Sequence, residues 1–224
     1  MPSLSSATQA QLLGALFQGT ALPPASTLYL ALHNENPGGP GTQSTGETAY
    51  TNYARVAVPC SPGSWRVSGA QPAQAQNIQQ LAFPACGATG DLLAFWSLGY
   101  QASGPGPIIT SGPLGPGTAY QFTASWMNDA LFVPLLPPGW VPGQAVVLYQ
   151  FGPGMLLPGG FVDGQLYSVG LVSGTSVGLT NLFGGPLIVP TTPGGGLIVP
   201  VSLLAVSAGI VPTFAPSSLF TFVG

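Results

Sequence analysis

"TLYLALHNENPGGPGTQSTGETAYTNYARVAVP", residues 27–59, is the stretch on which the fold turns. Its first seven residues alternate Leu28, Leu30 and Leu32 with Tyr29, Ala31 and His33, the period of two expected of a strand with one buried face. "YARVAV" resumes the alternation, with Tyr53, Arg55 and Ala57 on one face and Ala54, Val56 and Val58 on the other. Between them lies a long run of Asn, Pro, Gly, Ser and Thr, the residues that turn a chain rather than extend it. The same stretch holds the only histidine (His33), two of the five acids (Glu35, Glu47) and one of the two arginines (Arg55) of a chain with 3% charged residues. Such a gathering of charge could be an active site, or it could be two strands and a loop with the charges set where water reaches them.

The pattern outside this stretch favours strands. "SWRV", "NIQQLAFP", "DLLAFWSLGY", "PIITSGPL", "AYQFTA" and "DALFVPL" follow as short apolar runs, separated by "PGS", "CGATGD" and "SGPGP". Glycine (33) and proline (25) make up about a quarter of the 224 residues. The 46% hydrophobic content argues against disorder and for many short strands with tight turns. Residues 5–18, "SSATQAQLLGALFQ", make the one good helix: Ser5 or Ser6 caps it, Gly19 stops it, and Leu12, Leu13, Leu16 and Phe17 form an apolar face. With no charge on its other face, that helix is expected to dock on a sheet or a partner. The expected fold is therefore all-β, an N-terminal β-sandwich of immunoglobulin or jelly-roll type with one short helix, over residues 1–134. "LLPPGWVPG" reads as a boundary, and a smaller C-terminal β domain occupies 135–224.

Composition removes several functions. Lysine is absent and the net charge is −3, so a phosphate backbone has no basic surface to meet. The apolar run at 196–211 is too short for a spanning helix and is broken by Pro200 and Gly209. The first side chain charged at pH 7 is Glu35 and no Lys or Arg precedes Arg55, so a basic signal-peptide start is missing and synthesis in the cytoplasm is expected. There Cys60 and Cys86 are expected as free thiols. Two cysteines and one histidine cannot close a zinc site, and two carboxylates are too few for calcium in the 34–48 loop.

His33 and Glu35 would share a strand face only if the strand ran on through Asn34, which "NENP" argues against. No G-x-S-x-G elbow is present for a hydrolase. Trp65, Trp96, Trp126 and Trp140 fall in or beside strands and read as core or interface anchors before sugar platforms. No catalytic residue, cofactor-binding residue or metal ligand is expected, and no cofactor. His33, Glu35, Glu47, Arg55 and Arg66 are instead expected to serve contacts between subunits, with the acids as loop carboxylates or in an interface salt bridge with Arg55, a pair of the exposed kind.

The order of "TLYLALHNENPGG", "YARVAVP", "GSWRVSG", "NIQQLAFPACGATGDLLAFWSLGY" and "IITSGPL" resembles a family of small tailed-phage virion proteins, described as head-decoration or tail-fibre-like. The later run from "WVPGQAVVLYQF" to "PLIVPTT" is similar to a β-module of phage head and tail proteins. The resemblance implies a structural virion protein without catalysis. The expectation drawn from it is a capsid decoration (cement) protein, bound to the major capsid protein and to its own copies as a trimer or dimer, without nucleic acid or membrane. The alternative is a tail-fibre, baseplate or tail-tip component bound to tail proteins, and a carbohydrate-binding adhesion module is the third reading.

Overall fold

The computed structural model describes residues 3–22, 25–38, 41–69, 73–125, 129–137, 139–152, 154–218 and 220–223. Along the chain run β1 (Ser3–Leu4), α1 (Ser6–Gln18), β2 (Thr27–His33), β3 (Val56–Pro59), β4 (Trp65–Ser68), β5 (Ala73–Asn77), β6 (Leu81–Ala82), β7 (Asp91–Leu93), β8 (Phe95–Gly99) and β9 (Ile108–Pro113). They continue with β10 (Tyr120–Ala124), β11 (Leu131–Phe132), β12 (Ala145–Tyr149), β13 (Leu166–Ser173), β14 (Ser176–Asn181), β15 (Gly194–Pro200), β16 (Leu204–Val206), β17 (Thr213–Phe214) and β18 (Phe220–Val223). The all-β class with one N-terminal helix holds. The chain divides into two units, and the division differs from the expected cut after residue 134. One unit is Gly115–Leu203, and the other joins the chain up to Leu114 with Leu204 onward.

The discontinuous unit is built on an eight-stranded sheet in the order β3-β2-β8-β9-β1-β18-β5-β4. Two ribbons, β16-β7 and β17-β6, accompany it. Its last strand does not sit at an edge: β18 runs parallel to β1 on one side and antiparallel to β5 on the other. The returning segment thus joins the β3-β2-β8-β9-β1 half of the sheet to the β5-β4 half. The alternation seen in the sequence becomes register, with Leu30 opposite Leu98 and Leu98 opposite Thr110. On that face Leu30, Leu32, Val58, Trp96 and Leu98 pack with Leu81, Phe83, Leu93 and Val206 from the ribbons and adjoining loops.

The two edge strands of this sheet are consecutive in the chain. Residues 60–64 link Pro59 of β3 to Trp65 of β4, a connection that spans roughly 20 Å at full stretch. Eight flat strands would measure about 34 Å from edge to edge. The sheet therefore has to curl. In the bend lies an apolar groove of about 550 Å³, lined by Leu28, Leu98, Thr110, Ala75 and Val67 and flanked by Cys60, Pro62 and Trp65.

The continuous unit is a closed barrel, β10-β11-β14-β13-β12-β15, which leaves no strand edge free. Side chains fill it: Phe122, Leu131, Val146, Leu148, Phe161, Tyr167, Val169, Leu179 and Ile198 form one buried cluster. Trp140 belongs to that cluster, so "LLPPGWVPG" is a turn inside the barrel and not a linker. Entry and exit of the barrel lie side by side, since a side chain on Gly115 would meet Ser202 Oγ at 2.8 Å.

Helix α1 is N-capped by Ser5, whose side chain accepts from the Thr8 amide, and stopped by Gly19 in the left-handed conformation. Both ends are where the sequence put them. None of its residues is buried, although Leu12 on its apolar face is half-buried and the helix meets β9.

Candidate functional site

The charged stretch folds back on the sheet instead of standing in water. After β2 the chain turns through the 34–46 loop, and Glu47 returns as an antiparallel bridge partner of His33. Asn34 donates to the Gly46 carbonyl at 2.9 Å and Thr48 to the Leu32 carbonyl at 3.0 Å. Gly46 has φ 57°, and a methyl group there would fall 2.1 Å from Glu35 Cγ. Only glycine combines that backbone with that contact. Buried Gln43 pins the loop from below, donating from Nε2 to the Tyr29 carbonyl (2.9 Å) and accepting from the Gln101 amide (3.1 Å).

At the centre Arg55 and Glu47 form a two-point ion pair. Arg55 Nε donates to Glu47 Oε1 and Nη2 to Oε2, both at 2.6 Å. The pair is inside the unit, with side-chain exposures of 2% for Arg55 and 17% for Glu47. A salt bridge of Arg55, expected at an exposed interface, is thus made within the chain and buried. The polar loop provides its own partners, which is why polarity in the sequence did not translate into exposure. Arg55 Nη1 donates to the Gln101 carbonyl at 2.9 Å and Nη2 to the Gly104 carbonyl at 2.8 Å. Gly104 sits at φ 77°, which glycine adopts without strain. Burial acts against the guanidinium charge, but the hydrogen bonds and charge of Glu47 outweigh it and hold Arg55 above its ordinary pKa.

Tyr53 joins this pair to the sheet. Its hydroxyl donates to Glu47 Oε1 at 3.0 Å and accepts from the Leu32 amide at 3.1 Å. That amide lies in the gap between the last β2–β3 pairing, at Leu30 and Val56, and the His33–Glu47 bridge. Burial raises the Tyr53 pKa far above the usual phenol range.

His33 is fully buried. Its Nδ1 lies 2.9 Å from the Thr45 carbonyl and its Nε2 2.7 Å from Ser97 Oγ. A carbonyl can only accept, so Nδ1 carries the proton and Nε2 accepts from the serine. Burial pushes the pKa down to about 4, against smaller opposing pulls from the Thr45 carbonyl and Glu47. The ring is neutral near pH 7, and both nitrogens are engaged within the chain.

Of the five sequence-predicted residues, the structure brings His33, Glu47 and Arg55 together. Glu35 and Arg66 remain exposed, Arg66 on β4 opposite Gln76. Asp91 accepts from the Thr48 hydroxyl at 2.6 Å and from the Leu92 amide. Among the described residues no three His, Cys, Asp or Glu side chains form a metal-binding group. Cys60 and Cys86 are free thiols, one exposed and one buried. Trp96 and Trp140 are buried anchors, Trp65 packs at the edge of the sheet core, and Trp126 lies outside the described residues. Sequence reasoning missed Gln43, Tyr53 and Ser97. Ser97 alone left a signal, as a lone hydroxyl within "FWSLG", where all five residues are buried.

A family model described as "Podophage GP4 fiber I protein gp80" matches residues 3–119, just over half of the chain. The match spans α1 and β1–β9 and ends close to where the barrel unit begins. No curated protein matches the chain.

Proposed function

Because the chain belongs to the family of the podophage GP4 fiber I protein gp80, a family of tailed-phage virion proteins, we propose that it is a non-enzymatic structural component of a phage fibre. The match over residues 3–119 carries this reading, and it favours the tail-fibre alternative over the capsid-cement role that the sequence first suggested. The chemistry of the charged stretch supports a structural role. A general base needs a free nitrogen or carboxylate in reach of substrate, whereas His33 has both nitrogens bonded internally and Glu47 has both oxygens on Arg55. The network ties the 43–48 and 101–104 loops to β2 in a chain that has no lysine. Glu35 and Arg66, the two exposed charges of the set, are the ones available to neighbouring subunits, and the partners on this reading are tail proteins and further copies.

The reading is tested on particles made without the protein. Loss of a tail appendage with heads that keep their genome and heat resistance is the expected result. Heads that burst or leak on mild heating, with appendages in place, would overturn it in favour of cement.

A further inference from the structure

We propose that the discontinuous unit binds an uncharged saccharide in the polar cleft at the Glu47–Arg55 pair. The cleft measures about 700 Å³, within the ~300–1,000 Å³ usual for small-ligand sites. Its lining segments are held from within the chain. One is the 101–104 bend, whose Gln101 and Gly104 carbonyls accept from Arg55. Another is the turn Tyr50–Tyr53, closed by the Tyr53 amide on the Tyr50 carbonyl at 2.9 Å. Thr51 fastens this turn to the 87–89 loop. Its amide donates to the Thr89 carbonyl (2.9 Å), its hydroxyl accepts from the Thr89 amide (3.0 Å), and its carbonyl accepts from the Gly87 amide (2.8 Å). Loops fixed in advance lose little further freedom when a ligand binds.

Charge decides the class of ligand. Glu47 and Arg55 are the only charged side chains among the lining residues, and each already holds the other at two points. An anion would meet the carboxylate and a cation the guanidinium, with no unpaired opposite charge to offset the loss of water. A sugar hydroxyl carries no such cost.

The polar groups of the cleft suit such hydroxyls. Glu47 Oε1 takes two hydrogen bonds and Oε2 one, so Oε2 can accept another from a ligand. Ser44 Oγ accepts from Arg55 at 3.3 Å and keeps its own proton to give. Asn52 and Ser103 line the cleft from exposed positions. Asn52 has φ 76°, a conformation that glycine adopts freely and asparagine tolerates. With asparagine there, the corner of the turn presents two donors and an acceptor where glycine would present none. Each hydroxyl of a sugar ring both gives and takes a hydrogen bond, which matches this mixture. No tryptophan lines the cleft, so the site owes nothing to the tryptophan platforms weighed from the sequence. It lies within one unit of one chain and is independent of where in the virion the protein sits.

The test is saturation-transfer difference NMR on the purified full-length chain. The probes are glucose, mannose, galactose and N-acetylglucosamine with their neutral disaccharides, and galacturonate and glucosamine as charged counterparts of the last two. At least one neutral sugar is expected to bind with a millimolar Kd, more tightly than either charged one, and to slow hydrogen exchange in peptides covering 44–55 and 101–104. Asn52→Gly keeps the backbone angle and removes the amide, and should weaken that binding about 10-fold. Ser103→Ala should weaken it by a smaller factor, and Phe183→Ser on the barrel unit should leave it unchanged. Absence of saturation transfer to every neutral sugar overturns the proposal. So does tighter binding of a charged counterpart, and so does binding untouched by both Asn52→Gly and Ser103→Ala. Failure here leaves the fibre reading standing, since that reading is tested on particles.

Discussion

Replacing Arg55 by methionine keeps an unbranched apolar stem and removes the guanidinium, leaving the Glu47 carboxylate inside the unit with the Tyr53 hydroxyl as its remaining side-chain partner. The Gln101 carbonyl loses its Arg55 donor in the same step, and the Gly104 carbonyl keeps the Gly106 amide. Breaking one side of a buried pair costs about 3–5 kcal/mol, and an exposed pair about 0–1 kcal/mol. The 2% exposure of Arg55 and its two 2.6 Å contacts put the structure in the first class. Glu47→Gln should cost a similar amount, because it strands the guanidinium. The double variant should lose well under the sum, because no buried charge is left alone; a coupling energy of about 2–3 kcal/mol is expected. Urea unfolding of the full chain gives the total, and hydrogen exchange read on peptides covering 43–48 and 101–106 assigns the loss to this unit. A cost below about 1 kcal/mol for Arg55→Met, or strict additivity of the two substitutions, would refute the reasoning and return the pair to solvent.

Three further outcomes follow from the same geometry. His33 titrates at about 4 in the folded chain and near 6.5 unfolded, so the unfolded state binds the extra proton between those values. Its contribution is complete above about pH 6.5 and falls by roughly 3 kcal/mol as pH drops through 4; the resonances of the single histidine should show a midpoint near 4, and a midpoint near 6.5 would contradict its burial. Gly46→Ala should destabilise the discontinuous unit by about 1–2 kcal/mol through its left-handed backbone, more if Glu35 cannot move, as read by the same exchange experiment. A thiol reagent should modify Cys60 in the native protein and Cys86 only on unfolding, whereas two equally fast cysteines would argue against the core around Cys86.

The strands were legible because their signal is local. Leu28, Leu30 and Leu32 alternate, and the buried face of β2 follows them. So were the ends of α1, where Ser5 and Gly19 act on backbone groups within one turn. The return of β16–β18 to the first unit was not legible, because a strand's partner is chosen across the whole chain, and "SSLFTFV" carries no mark of the β1–β5 gap it fills. The boundary failed for a related reason. Gly and Pro near Gly115 and Val201 are no denser than in "LLPPGWVPG", whose Trp140 belongs to the barrel core. The 34–48 loop misled because polar residues were equated with exposed ones, whereas Gln43, Thr45 and Glu47 find their partners inside the chain. A buried ion pair and an exposed one are written with the same letters.

Gold-labelled antibodies against the full chain, applied to intact virions and viewed by electron microscopy, test most directly the proposal that the protein is part of a fibre. Label confined to tail appendages is the predicted result, and label spread over the capsid shell would contradict it.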